Sequence, residues 1–202
     1  MPSSPLPGWP LAPPAHGRVL LRPVEDSDVP MARELSTDPY VPLVGTLPPD
    51  AGPQEALAWV ERQRARHGEG AGFSFTVTVA ATGVAVGHCG LWLREPAHGR
   101  ATAGYAIVPS ARRKGYGADA LAALTQFAWT LPGLTHVALD IEPWNTGSVR
   151  VAERAGYRCE GLLLGHREIA GERRDMLRYT AERPRRADPV VTQASPAPRG
   201  TR

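Results

Sequence analysis

Cysteine is scarce in this chain, lysine is nearly absent, and no apolar run approaches the length of a membrane span. The two cysteines, Cys89 and Cys159, stand far apart and without metal-type spacing, which excludes a disulfide framework and a zinc site. The missing apolar run excludes a spanning helix, and the N-terminus lacks the basic-then-apolar order of a secretory signal. A cytoplasmic protein with no membrane partner and no metal is therefore expected. An excess of charge is missing too, despite a formal net charge of +3. Residues 182–202 hold five arginines against two acids, leaving 18 basic and 18 acidic residues in positions 1–181. So neutral a body argues against a nucleic-acid partner, which needs basic side chains gathered on one face. The basic end is expected to be solvated.

What is present is enough chain for one domain: 202 residues, 42% of them hydrophobic, can bury a single sizeable core. Residues 1–16 carry six prolines and no charged side chain apart from His16, and are expected to be a disordered Pro-rich N-terminus. Residues 182–202 are expected to be a disordered basic Pro/Arg tail. The domain, 17–181, lies between. Arg18 to Val24 predicts a strand, followed by a helix opened by a capping acid at Asp26 to Asp28. Pro53 to His67 predicts a longer helix, with Ala56, Leu57, Trp59 and Val60 at helical spacing. The period then falls to two, predicting a hairpin over Gly72 to Ala80 and Gly83 to Glu95, and a further strand that Pro109 ends. A helix after Gly117, a strand over His136 to Pro143, a helix over Thr146 to Tyr157 and two last strands complete an α/β order.

The stretch SARRKGYGADAL, Ser110 to Leu121, carries the chemistry. A strand that runs through a glycine-bearing turn into a helix presents free backbone N–H groups and the positive end of a helix dipole at one point, which is an anion site. Gly115 and Gly117 admit close backbone approach or a positive φ. Arg112, Arg113 and Lys114, the only lysine in the chain, add charge around it. The nucleoside-triphosphate loop is excluded, because Lys114 precedes the glycines and Ala118 follows them. Gly115 to Ala120 satisfies the dinucleotide pattern G-x-G-x-x-A, with Asp140 at the end of the next strand. Against it, Ser110 to Lys114 intervene between strand and glycines, and the strand is not the first of a βαβ array.

These residues resemble a known family. Arg112 to Gly117 is similar to the Q/R-x-x-G-x-G/A pyrophosphate loop of the GCN5-related N-acetyltransferase (GNAT) superfamily. Leu21-Arg22-Pro23, Asp38-Pro39, Gly104-Tyr105, Asn145-x-x-Ser148, Glu153 to Tyr157, Glu160-Gly161 and Asp175 fall in the order of its RimJ/RimL-type subgroup. The resemblance implies a mixed, mostly antiparallel sheet of about 6–7 strands with helices on both faces. It implies transfer of acetyl from acetyl-CoA, as cosubstrate and without a metal, to a primary amine of a protein N-terminus or a small molecule. It also leaves a homodimer open. By the same resemblance the pantetheine arm would pair with the backbone of Ile107 and Val108. The pyrophosphate would rest on the loop from Arg112 and Arg113 through Lys114, Gly115 and Tyr116 to Gly117 and Ala118, with Asn145 and Arg154 beside the cofactor. Asn145 equally suits a helix cap.

Attack of a neutral amine on a thioester needs an oxyanion partner, a route for the amine proton, and an acid for the leaving thiolate. Where many relatives carry a tyrosine for the thiolate this chain has Ala152, which leaves Ser148 as the candidate acid or hydrogen-bond donor; a serine capping its own helix is the alternative. Where many have a glutamate base it has Thr102, which cannot accept a proton at neutral pH. His88 or Glu160 acting through water, or an acceptor that arrives deprotonated, are the remaining routes, and the base stays unassigned. With acid and base both altered, an acyl-CoA-binding module with little turnover is the alternative function, and a nicotinamide oxidoreductase a third.

Overall fold

The computed structural model describes residues 6–95 and 98–184, with the backbone alone at Arg94 and Glu95. The expected basic tail from residue 185 onward, and residues 1–5 of the Pro-rich end, lie outside that range.

Eight strands form one sheet: β1 (Ala15–His16), β2 (Val19–Pro23), β3 (Gly72–Val79), β4 (Ala85–Glu95), β5 (Arg100–Ile107), β6 (His136–Ile141), β7 (Arg158–Ile169) and β8 (Glu172–Glu182). Their order across the sheet is β1-β2-β3-β4-β5-β6-β8-β7. Every neighbouring pair is antiparallel except β5 with β6. With one parallel pair among them, the described residues do not form the array that the dinucleotide pattern requires. The strand beyond the expected number is β1, two residues at the end of the Pro-rich segment. Among the described residues five α-helices accompany the sheet: α1 (Val29–Ser36), α2 (Val41–Val44), α3 (Pro53–Gly68), α4 (Tyr116–Ala128) and α5 (Thr146–Arg154). Among the described residues no helix is long and apolar enough to cross a membrane.

Side-chain alternation in β3 shows how the layers form. Phe73 and Phe75 point to one face, where both rings meet Phe127 of α4 edge to face. Ser74 and Thr76 point to the other, toward Gln63 of α3 and Asp28. The register carries this alternation across the sheet: Ser74 opposes Gly90, which opposes Gly104. Helices α4 and α5 thus cover the face of Phe73, and α1 and α3 the face of Ser74. The α3 start follows its sequence, with Pro53 in the first turn and the Glu55 carboxylate accepting the Gly52 N–H at 2.8 Å. Asp28 is wholly buried, and accepts from Arg22, the Thr76 hydroxyl and the Glu25 N–H, which fastens β2 and β3 to the turn before α1.

The described part of the Pro-rich segment departs from the expected disorder. Trp9 lies edge to face on both Phe73 and Phe75, 5.5 and 5.2 Å away, and His67 Nε2 lies 2.9 Å from the Pro7 carbonyl. Proline content rules out helix here but not extended chain laid along a surface, and one large aromatic supplies the apolar area to hold it.

Candidate active site

β5 and β6 begin side by side and then separate. They pair in parallel only at Arg100 with His136, Ala101 with Val137 and Thr102 with Ala138. Beyond these, β5 stays on β4 as far as Ile107 and β6 stays on β8 as far as Ile141, so the sheet opens into a wedge. Backbone groups along a strand face its two neighbours in turn. The Val108 N–H donates to the Val86 carbonyl at 3.0 Å, on the β4 side, so the amides of Ile107 and Tyr105 face the wedge. Of the two residues expected to line it, Ile107 does so. Val108 does not, because its carbonyl is also taken, by the Ala111 N–H at 3.0 Å. Sequence reasoning missed Tyr105, the next wedge-facing amide, although the strand's period of two was sufficient to find it.

The basic-glycine turn stands at the open end of this wedge. After a 3-10 turn at Pro109–Ala111 the chain passes through Arg113 at φ +62° and Gly115 at φ +83°, then enters α4. No side chain caps α4, so the first-turn N–H groups, including those of Tyr116, Gly117 and Ala118, have no partner within the helix. Two left-handed residues so close together curl the intervening N–H groups toward one concavity, and this adds to the helix dipole. A left-handed non-glycine residue costs roughly 1–2 kcal/mol, and Arg113 is held there by the turns on either side.

The three cations divide. Arg112 turns inward: its guanidinium meets Asp38 at 2.6 Å, and its Nε donates to the Ile107 carbonyl at 3.0 Å. Burial alone would raise the Asp38 pKa, but the Val41 and Tyr40 N–H groups and Arg112 outweigh it and hold that carboxylate below its usual range. Arg112, itself partly exposed, therefore ties the loop to the segment after α1. Arg113 and Lys114 are exposed at the turn. Asp119, in the first turn of α4, is matched by Arg18, whose Nε is 3.1 Å away and whose guanidinium also lies over the Tyr116 ring.

Across the wedge, α5 begins just past the end of β6. Asn145 is its cap, with Oδ1 accepting the Ser148 N–H at 3.1 Å. The Ser148 hydroxyl lies 2.9 Å from the Tyr105 hydroxyl. Burial raises the Tyr105 phenol to about 12, partly offset by that hydrogen bond. Ala152, one turn on, is fully buried, while Arg154 is exposed in the last turn. Gly117 admits this arrangement: a Cβ there would sit 3.1 Å from the Tyr105 ring and 3.4 Å from Val151.

The opposite face of the wedge holds the groups weighed as bases. His88 is buried against Trp59, and burial together with the Arg66 charge lowers it to about 3, so it cannot take a proton at neutral pH. Glu160 is exposed and lines a cleft of about 150 Å³ with Thr102, Trp92, Arg100, His136 and Arg178. Register places Ala138, Asp140 and, two residues on, Glu142 on this face as well. Asp140 is held by Arg178 at 2.8 and 3.0 Å. Glu142 is buried and accepts from the Tyr40 hydroxyl, whose ring meets the exposed Trp144 edge to face at 4.9 Å. Burial and that carboxylate push the Tyr40 phenol far above its usual value. Sequence reasoning missed Glu142, since a single acid near a strand end carries no pattern.

The acetyltransferase (GNAT) domain family matches residues 18–158. Among curated proteins the chain is 24% identical over 163 residues to the uncharacterized N-acetyltransferase p20 of Bacillus licheniformis, covering 81% of this chain and 92% of p20. Among solved structures it is similar to Mycobacterium smegmatis RimJ in complex with a CoA disulfide, at TM-score 0.72, 26% identity and 86% coverage of each chain. A GNAT-family acetyltransferase of Bacillus anthracis superposes at TM-score 0.70 with 21% identity, covering 83% of this chain and 96% of its own.

Proposed function

Because the chain belongs to the GNAT acetyltransferase family, we propose that it transfers acetyl from acetyl-CoA to a primary amine, by direct attack with both substrates bound. The observation that carries this is the wedge between β5 and β6 with an uncapped helix N-terminus at its mouth. A pantetheine arm has amide groups that pair with strand edges, and a pyrophosphate matches clustered N–H donors. The Ile107 and Tyr105 amides would hold the arm and the thioester carbonyl, and the amides of Arg113 to Ala118 the phosphates, with Arg113 and Lys114 as mobile countercharges. The Tyr105 amide is then the oxyanion donor, fixed by the sheet before substrate arrives. Residues 17–181 are the catalytic unit.

The acceptor enters on the face of Thr102 and Glu142. Buried carboxylate and exposed indole at this mouth favour an ammonium-bearing acceptor, which must lose a proton before it attacks. That acceptor is a protein N-terminus or a small amine. Retention on a CoA resin and thiol release from acetyl-CoA across a panel of amines and N-terminal peptides test the proposal. Retention with release for one acceptor class is expected. Retention without release for any of them would leave an acyl-CoA-binding module.

A further inference from the structure

We propose that Tyr105 is a positioning residue for the leaving group: its hydroxyl, 2.9 Å from Ser148 Oγ, turns the serine O–H toward the cofactor sulfur. This rests on the acetyl-transfer reading above. Ser148 is held at two points of different kind. Its N–H is fixed by the Asn145 cap, and among the described residues its hydroxyl has Tyr105 as its one partner. A capping serine would use its oxygen on its own helix; here Asn145 does the capping and the serine oxygen is left for other work. The helix brings no further hydroxyl to the spot, since Ala152, one turn beyond, ends in a buried methyl.

Tyr105 reaches α5 from the strand. Its amide faces the wedge while its ring packs on Gly117 and its hydroxyl meets Ser148, so one residue touches the loop, the wedge and α5. Either hydroxyl can donate across this pair. Once a thiolate forms beside Ser148 it draws the serine proton, and the phenol, protonated throughout the working range and the more acidic hydroxyl of the two, donates to the serine oxygen. The serine proton is then free to point elsewhere, and the open direction is the wedge. When the amine nitrogen forms its bond to the acetyl carbon, the C–S bond breaks with both electrons going to sulfur. Ser148 donates a hydrogen bond to that sulfur and Tyr105 keeps its proton. The nitrogen loses its proton to water, and the thiolate takes one back from water, so the step balances without another reactant.

The test titrates the thiol of bound CoA by thiolate absorbance at saturation, which needs no acceptor. Tyr105→Phe is expected to raise the midpoint by about half a pH unit to one unit relative to wild type, as loss of one neutral hydrogen bond implies. Ser148→Ala raises it at least as far, and the double variant no further than Ser148→Ala, because the two act in series. Gly117→Ala, which keeps the phenol but crowds its ring, moves the midpoint the same way. In turnover, Tyr105→Phe lowers kcat about five- to tenfold with KM for acetyl-CoA unchanged. Equal midpoints for wild type, Tyr105→Phe and Gly117→Ala overturn the inference alone. Failure of the wild type to bind CoA overturns it together with the proposed function.

Discussion

Gly115 and Gly117 stand two positions apart and lack side chains for different reasons. Gly115 is left-handed, and a Cβ there would also run into the Arg18 guanidinium. Gly117 is an ordinary helical residue whose missing side chain makes room for Tyr105. Gly115→Ala is therefore expected to cost roughly 1–2 kcal/mol of local strain and weaken CoA binding about tenfold or more, read by calorimetry. Lys114→Ala, which removes one exposed charge, weakens it less than about fivefold. The sequence made the loop legible because its residue types are tied to backbone demands that any chain obeys. It did not separate the two glycines, since the neighbour that one accommodates arrives from another strand. The ion pair of Arg112 was hidden for a related reason: three adjacent cations read alike until Asp38, far away in sequence, pairs with one of them.

At the scale of elements, the alternation and helical spacing that foretold the strands and helices are short-range signals, and the elements follow them closely. The separation of β5 from β6 left no such signal. It depends on which neighbour each strand keeps, β4 on one side and β8 on the other, and neither choice is written within the strand itself. The cluster at Asp28 shows how the layers are fastened. Burial alone would raise its pKa, but the paired bonds from Arg22 and those from Thr76 and the Glu25 N–H overcome this and hold it below the usual carboxylate range. A carboxylate with a depressed folded pKa contributes its full stability above the ordinary value and loses it as pH falls through the folded one. Melting temperature is therefore expected to fall below about pH 4. Asp28→Asn should cost about 3 kcal/mol at neutral pH, and its deficit against wild type should shrink as the solution is acidified, as melting across pH would show.

Across the whole molecule, the Pro-rich segment is held by one aromatic against a cluster that also includes α3 and α4. Trp9→Ala is expected to cost about 2 kcal/mol, a fall in melting temperature of about 4–8 °C, with CoA affinity kept because the cluster lies away from the wedge. Composition pointed to disorder, and a single tryptophan among six prolines was too small a signal to outweigh it. The wedge has a consequence of a different kind. A sheet that leaves part of one strand edge unpaired is, in thermodynamic terms, an assembly short of a component, and the cosubstrate arm supplies it. Heat resistance then becomes a matter of mass action: at about a hundredfold excess of CoA over its dissociation constant, the folded state gains about 2.7 kcal/mol. A melting curve that climbs with the logarithm of CoA concentration would show the cofactor acting as the sheet's removable strand.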